Sequence, residues 1–390
     1  WHGSTPLSVA AYHGNLAAVK LLLAHPATIA DSPGDSKNTP LSLAAHRGHL
    51  PIVSLLLAHP DVDPNHPDNN DRTPLILAAS QGRSAVVAAL LTHPDIALNL
   101  RTPESRSSLP RSTPLSAAAT NGHAAVVALL LARDGVETNP TNVYAFTPLW
   151  EAARYGHAEV VEVLLRREDT DVNGCTKLVS TPLVSAAKQG HVDVMRLLLQ
   201  RPEVLVEHRD RDEMTPLMCA AASGAVEGMR MLMERRDVDV NAPGDRFGSS
   251  VLATAVKRGH VKAVELLLGW GGVDVNSRDK GGATPLLEAA RWNNIEVMKI
   301  LIECEGVDVQ ARNGEGKSAL ALAAELGKTD AVRLLLERRC VDVNARDGDG
   351  RTTLAVVMDD KDRSYIYPAG KKSDYDAVAK LLREYGGVNR

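Results

Sequence analysis

The sequence predicts an all-α solenoid of about eleven stacked helix-turn-helix units with short β-turn or hairpin tips, forming a single domain over residues 1–390. Three observations predict it. Thr-Pro-Leu recurs at Thr5, Thr39, Thr73, Thr113, Thr147, Thr181, Thr215 and Thr284, with imperfect copies at Ser250, Ser318 and Thr352, mostly 34 residues apart. Glycine follows nine residues later at Gly14, Gly48, Gly82, Gly122, Gly156, Gly190, Gly224, Gly259 and Gly327. Val-x-x-Leu-Leu patterns, such as Val194, Leu197 and Leu198, come next. One such helix pair cannot bury its apolar face alone, so stacking supplies the core.

Each element follows from its residues. The threonine hydroxyl caps the free amides of a first helix, proline suits the first helical position, and leucine begins the buried stripe. The glycine ends that helix in a left-handed conformation, and Asn293 takes its place in the ninth unit. The second helix carries one apolar face at the 3.6-residue period. Pro26 and Pro60 stop it, and a segment such as Asp239-Val240-Asn241 leads through a turn to the next unit. The spacing lengthens to 40 residues between Thr73 and Thr113 and to 35 between Thr215 and Ser250. In the last unit a charged insertion over residues 359–374, carrying Tyr365 and Tyr367, reads as an exposed loop. The helix after it, Tyr375 to Tyr385, has a polar side of Asp376, Lys380, Arg383 and Glu384 that suits a terminal cap.

Composition narrows the function. With 44% hydrophobic but only 3% aromatic residues, the core must be built from Ala, Leu and Val on closely packed small helices. A net charge of -4 exerts no global pull toward nucleic acid or membrane. Cys175, Cys219, Cys304 and Cys340 have neither disulfide-like nor metal-like spacing, which suits a cytoplasmic or nuclear protein. No apolar run reaches the roughly 20 residues a membrane span needs. The chain starts at Trp1, part-way into a unit, and reads as a fragment of a longer protein.

Catalytic and cofactor motifs have no foothold: there is no P-loop, GxSxG or GxGxxG. The Gly-His histidines His49, His123, His157, His191 and His260 recur at least one unit apart, roughly 10 Å or more in packed helices, too far for shared metal coordination at about 2 Å. They read as structural. Asp347, Asp349 and Gly350 suggest a calcium loop, but Arg351 stands where an oxygen ligand belongs and no glutamate follows at the required distance. Met229, Met231 and Met233 read as packing residues of one second helix. The expectation is a protein that is no enzyme and needs no metal or cofactor.

Thr-Pro-Leu, paired alanines such as Ala186 and Ala187, Gly190-His191 and Leu-Leu-Leu recur in register, and this pattern resembles the ankyrin repeat from Thr5 to about Asn389. The family's histidine after Thr-Pro-Leu is replaced by Ser8, Ser42, Trp150 or Val184, which removes a hydrogen bond between neighbours and leaves the fold intact. The 34-residue period with Asp-Val-Asp-Val-Asn turns resembles arrays of fungal multidomain proteins, often placed behind an NTPase or lipase-like module.

The resemblance implies a long concave face and partner contacts at fixed offsets: four, three and one residue before the threonine, seven and eight after it. In units five to nine these offsets hold Arg154, Lys177, Lys188, Arg211, Arg246, Lys257, Arg258, Lys280 and Arg291, with Asp212 as the one acid. They also hold Tyr144, Phe146, Tyr155, Phe247 and Trp292, with Leu178 and Met214 between them. Units one to four carry mostly neutral polar residues there, including Asn38, Asn69, Asn70, Ser112 and Asn121. Tyr, Trp and Arg are the residues enriched at binding hot spots. The expected function is a monomeric protein-interaction scaffold or receptor module that binds an acidic or phosphorylated partner segment on the concave face of units five to nine. Two alternatives stand beside it. The same basic strip could bind nucleic acid or anionic lipid, or the array could recruit substrate or sense a signal for a larger enzyme or NTPase.

Overall fold

A helix of two or three turns is unstable alone in water and must be held by its neighbours. All but the last of the 22 helices among the described residues are of this kind, at seven to ten residues. The computed structural model describes residues 5–34, 37–102, 112–174, 176, 180–242, 244–339, 341–359 and 372–389. It divides into two bodies, Trp1–Leu205 and Val206–Arg390.

The first body holds six helix pairs: α1 (Pro6–Tyr12) and α2 (Leu16–Leu23), α3 (Pro40–Arg47) and α4 (Leu50–Leu57), α5 (Pro74–Ser80) and α6 (Ser84–Leu91), α7 (Pro114–Thr120) and α8 (Ala124–Leu131), α9 (Pro148–Tyr155) and α10 (Ala158–Leu165), α11 (Pro182–Gln189) and α12 (Val192–Leu199). The second holds five: α13 (Pro216–Ser223) and α14 (Val226–Met233), α15 (Val251–Arg258) and α16 (Val261–Trp270), α17 (Pro285–Trp292) and α18 (Ile295–Glu303), α19 (Ala319–Glu325) and α20 (Thr329–Glu337), α21 (Thr353–Asp359) and α22 (Lys372–Glu384). Within each body first helices pack on first helices and second on second, as α7 on α9 and α8 on α10. No strand forms among the described residues; single antiparallel bridges, Arg312 to Ser318 and Arg346 to Thr352, close two hairpin tips. The fold is therefore the all-α stack of helix pairs that the repeat predicts.

The Thr-Pro-Leu starts act as expected. Thr147 Oγ1 accepts from the Trp150 amide at 3.1 Å and Thr181 Oγ1 from the Val184 amide at 3.3 Å, while Ser250 does the same for Ala253. The leucine that follows is buried in every unit, from Leu7 through Leu149 to Leu354. Met229 and Met233 are buried on α14, and Met231 is half-buried. α22 begins at Lys372, three residues before the expected Tyr375, with Asp374 in its first turn where the helix dipole favours a negative charge. The predicted insertion falls largely on residues 360–371, outside the described residues, as do Cys175 and Cys340.

Two side-chain ladders join the units. His191 Nε2–H donates to the Arg154 carbonyl at 3.0 Å, and His49, His123, His157 and His260 make the same bond to the unit before. This explains the glycine as well as the histidine. Gly156 adopts φ +77, and a Cβ there would come within 2.7 Å of the His191 ring. The second ladder is the asparagine of the turn between units, as in Asp239-Val240-Asn241. Asn241 Nδ2–H donates to the Gly272 carbonyl at 2.7 Å while its Oδ1 accepts from the Asp274 amide at 2.9 Å, and Asn99, Asn139, Asn173 and Asn276 repeat the pattern. Each amide side chain thus satisfies two backbone groups that lie outside any helix.

Candidate partner-binding surface

Unit five gathers most of the aromatic residues of the first body. Its hairpin tip is set by Asn142, whose Oδ1 accepts from the Tyr144 and Phe146 amides at 2.9 and 3.0 Å. Ala145 takes the left-handed position at φ 61. This turn throws Tyr144 outward, 52% exposed, and lays Phe146 flat on Trp150, with ring centroids 4.0 Å apart and 14° between planes. Trp150 is buried at the third position of α9, and its indole N–H meets no acceptor among the described residues.

One turn further along α9, Arg154 reaches over the rings. Its guanidinium carbon lies 5.3 Å from the Trp150 centroid and 5.9 Å from that of Tyr155, itself 53% exposed. These are cation–π distances. The guanidinium makes no hydrogen bond or ion pair among the described residues. The aromatic contacts hold it in place, and among the described residues its N–H donors are open to an incoming acceptor. Lys188 is exposed one unit on, at the end of α11, whereas Lys177 and Leu178 lie outside the described residues.

Beneath this surface sits a residue that the sequence offsets do not single out. Glu151 is 7% exposed, and its Oε1 accepts one hydrogen bond, from Asn142 Nδ2–H at 3.2 Å. Burial pushes its carboxyl up to about 7, against a smaller opposing pull from Arg154. The signal that could have found it is its placement four residues after Thr147, on the buried face of a first helix.

In the second body the predicted residues separate into two groups. Arg246 lies 4.8 Å above the Phe247 ring and pairs with Asp212 at 3.3 Å. Phe247 is 57% exposed, and Lys280 Nζ–H donates to the Arg246 carbonyl at 2.7 Å. Met214 is half-buried behind Asp210, and Arg211 and Arg258 are exposed. In the other group Lys257 donates to Ser249 Oγ at 2.7 Å and lies 3.9 Å from Glu288 and 4.0 Å from Asp279, both buried or nearly so. Arg291 approaches Glu288 at 3.8 Å, and the exposed Trp292 donates its indole N–H to the same carboxylate at 3.0 Å. Trp292 and Arg291 wall a groove of about 440 Å³ with Glu315, Lys317, Leu322, Glu325, Leu326 and Lys328.

The offsets count a single acid, yet much of the second body's positive charge is answered by carboxylates at other positions. Asp279, Glu288, Glu315 and Glu325 all lie within 4.0 Å of a predicted or adjacent cation. The open cation beside clustered rings belongs to unit five.

Asp347, considered above as a calcium ligand, spends Oδ1 on the Asp349 and Arg351 amides and Oδ2 on Arg351. That is turn architecture. No described helix is long and apolar enough to cross a membrane.

Family models described as Ankyrin repeats (3 copies) match residues 7–102, 98–174, 168–244 and 236–313, and one described as Ankyrin repeat matches residues 315–348. The crystal structure of the human ASB11 ankyrin repeat domain is similar at 27% sequence identity and a TM-score of 0.52, covering 60% of this chain and 100% of that one. Among curated proteins, none matches the sequence.

Proposed function

Because the chain belongs to the ankyrin-repeat family, whose repeats are protein-protein interaction modules, we propose that it is a scaffold or receptor module whose unit five docks an acidic or phosphorylated segment of a partner protein. The observation that carries this reading is Arg154, exposed, aimed by Trp150 and Tyr155, and unanswered by any carboxylate among the described residues. A guanidinium held in one place loses little freedom when it grips a carboxylate or phosphate in a two-pronged hydrogen bond. Tyr144, Phe146 and Tyr155 around it supply ring surface that a partner would cover, the composition of a hot spot. Exposed rings beside an arginine also suit single-stranded nucleic acid, by base stacking and phosphate contact.

Selection from a random displayed-peptide library against the whole chain tests the proposal. The expected winners are rich in Asp and Glu, or in phosphorylated residues when these are included, and they lose binding to Arg154→Glu and to Tyr144→Ala. Selection of basic or uncharged peptides, or equal binding by both variants, would overturn it. Competition of the selected peptide by an unrelated oligonucleotide at low salt would move the reading to nucleic acid.

A further inference from the structure

The unit-five anion site has a carboxyl built in beneath it. Glu151 lies one helical turn before Arg154 on α9, enclosed by the hairpin tip and by α7, and among the described residues it holds only a single amide hydrogen bond. Unit nine carries a glutamate at the same position. There Glu288 is equally buried, but Lys257 reaches it from the preceding unit, and Arg291 and the Trp292 indole add to the support. Thr120 stands where Lys257 would be, and Asn142 stands where Asp279 would be. The cation that settles the charge of Glu288 is therefore missing over Glu151.

We propose that Glu151 gates the unit-five site by taking up and releasing a proton: protonated, it leaves the whole charge of Arg154 to an acidic ligand, and ionised, it competes for that charge and weakens binding. The inference rests on the docking function assigned to unit five above. Among the described residues, the charged groups on neighbouring elements are few. α7 contributes none, α10 carries the exposed Glu159 and Glu162, and α11 carries Lys188 at its far end. His157, between α9 and α10, holds the Thr120 carbonyl through Nε2–H. Of these and its own helix, Arg154 is the charge that acts on the carboxyl, and burial sets its titration near neutral pH. Linkage then runs both ways. An anion on Arg154 makes ionised Glu151 less favourable, so binding should draw a proton onto it, and lower pH should tighten binding.

The test has two readouts on the full chain. Carbon NMR titration of glutamate carboxyls, with the Glu151 resonance assigned by its loss in Glu151→Gln, reads the proton directly. Glu151 should titrate near neutral pH, and Thr120→Lys should draw it down by about one unit or more, as an adjacent opposite charge does. Fluorescence anisotropy with a rhodamine-labelled hexaglutamate peptide reads the coupling. Wild type should bind about fivefold tighter at pH 6 than at pH 8, the change expected when binding raises the carboxyl's titration by about one unit. Glu151→Gln should bind equally at both, with the affinity of wild type at pH 6. Titration of Glu151 in the ordinary carboxylate range, or the same pH slope in Glu151→Gln, would overturn the gate. Binding that is flat with pH but lost in Arg154→Glu would remove the gate and leave the docking reading standing. Absence of peptide binding to wild type at both pH values would remove the docking reading and the gate with it.

Discussion

Units five and nine carry nearly the same first-helix sequence, Glu151-Ala152-Ala153-Arg154-Tyr155 and Glu288-Ala289-Ala290-Arg291-Trp292, and fold it the same way. Both bury the glutamate and expose the aromatic residue. They differ in what the unit before supplies. Lys257, braced by Ser249 and Asp279, faces Glu288, whereas the equivalent position in the unit before Glu151 is Thr120. The consequence passes to the surface. In unit nine the arginine and the indole are committed to a buried carboxylate, and in unit five the arginine stays open to solvent and the carboxyl keeps its proton to near neutral pH. Thr120 and Asn142 in place of Lys257 and Asp279, with Tyr155 in place of Trp292, thus distinguish a candidate docking site from a structural ion cluster.

The largest effect is expected from removing the carboxyl that lacks a cation, Glu151. The unfolded chain releases the Glu151 proton around 4.5 and the folded chain only at about 7. The folded state binds more protons between these values, so this group's contribution to stability falls as pH rises from 4.5 to 7 and stays lowered above. Glu151→Gln keeps the shape and abolishes that loss. It should stabilise the chain by up to about 3 kcal/mol at pH 8, from 1.36 kcal/mol per pKa unit, and by nothing near pH 4. Urea unfolding at the two pH values, with hydrogen exchange of the α9 amides to localise the change, checks it.

Lys257→Met should do the reverse in unit nine. It leaves Glu288 and Asp279 without their shared cation and should cost about 2 kcal/mol at pH 7, less than a fully buried broken pair because Arg291 and the indole remain. Adding Glu288→Gln should recover much of the loss in the same unfolding measurement. A Lys257→Met variant as stable as wild type would show that the two clusters do not differ as described.

The helix ends extend the comparison. Unit nine closes α17 with Asn293 at φ 58, and its Oδ1 accepts from the Ala331 amide. Unit five closes α9 with Gly156, against which the His191 ring is packed. Gly156→Asn should therefore cost about 1.5 kcal/mol, within the usual range for overpacking, and the double variant with His191→Ala should lose less than the two single costs combined. The smallest effect is expected at the hairpin tips. Ala145 holds the left-handed position at φ 61 that Gly282 holds at φ 74 in unit nine. Ala145→Gly should gain about 0.5 kcal/mol, the relief of left-handed strain less the added freedom of the unfolded glycine, seen as a small rise in Tm.

Much of this fold is legible without coordinates. Thr147, Pro148 and Leu149 announce a helix start because capping, fixed φ and the buried stripe are local chemistry, and Gly156 announces its end for the same reason. The exposure of Tyr144, Tyr155, Phe247 and Trp292 also follows from repeat register. What the offsets miss is the charge state of that surface. Arg246 and Lys257 read as open cations in a table of positions, yet each faces a carboxylate that comes from another unit, Asp212 for Arg246, Asp279 and Glu288 for Lys257. Glu151 escapes notice because its position faces inward, where a carboxylate is not expected unless paired.

The sequence by itself determined the stack of helix pairs, the ends of nearly every helix and the places where side chains could meet a partner, because each depends on interactions within one repeat or on a period that repeats them. Tertiary structure alone decided which cations are committed and which are open, and which carboxyl holds its proton. Those properties depend on distances between side chains of different repeats, and on how much water the packing leaves around them, as Thr120 over Glu151 and Lys257 over Glu288 make plain.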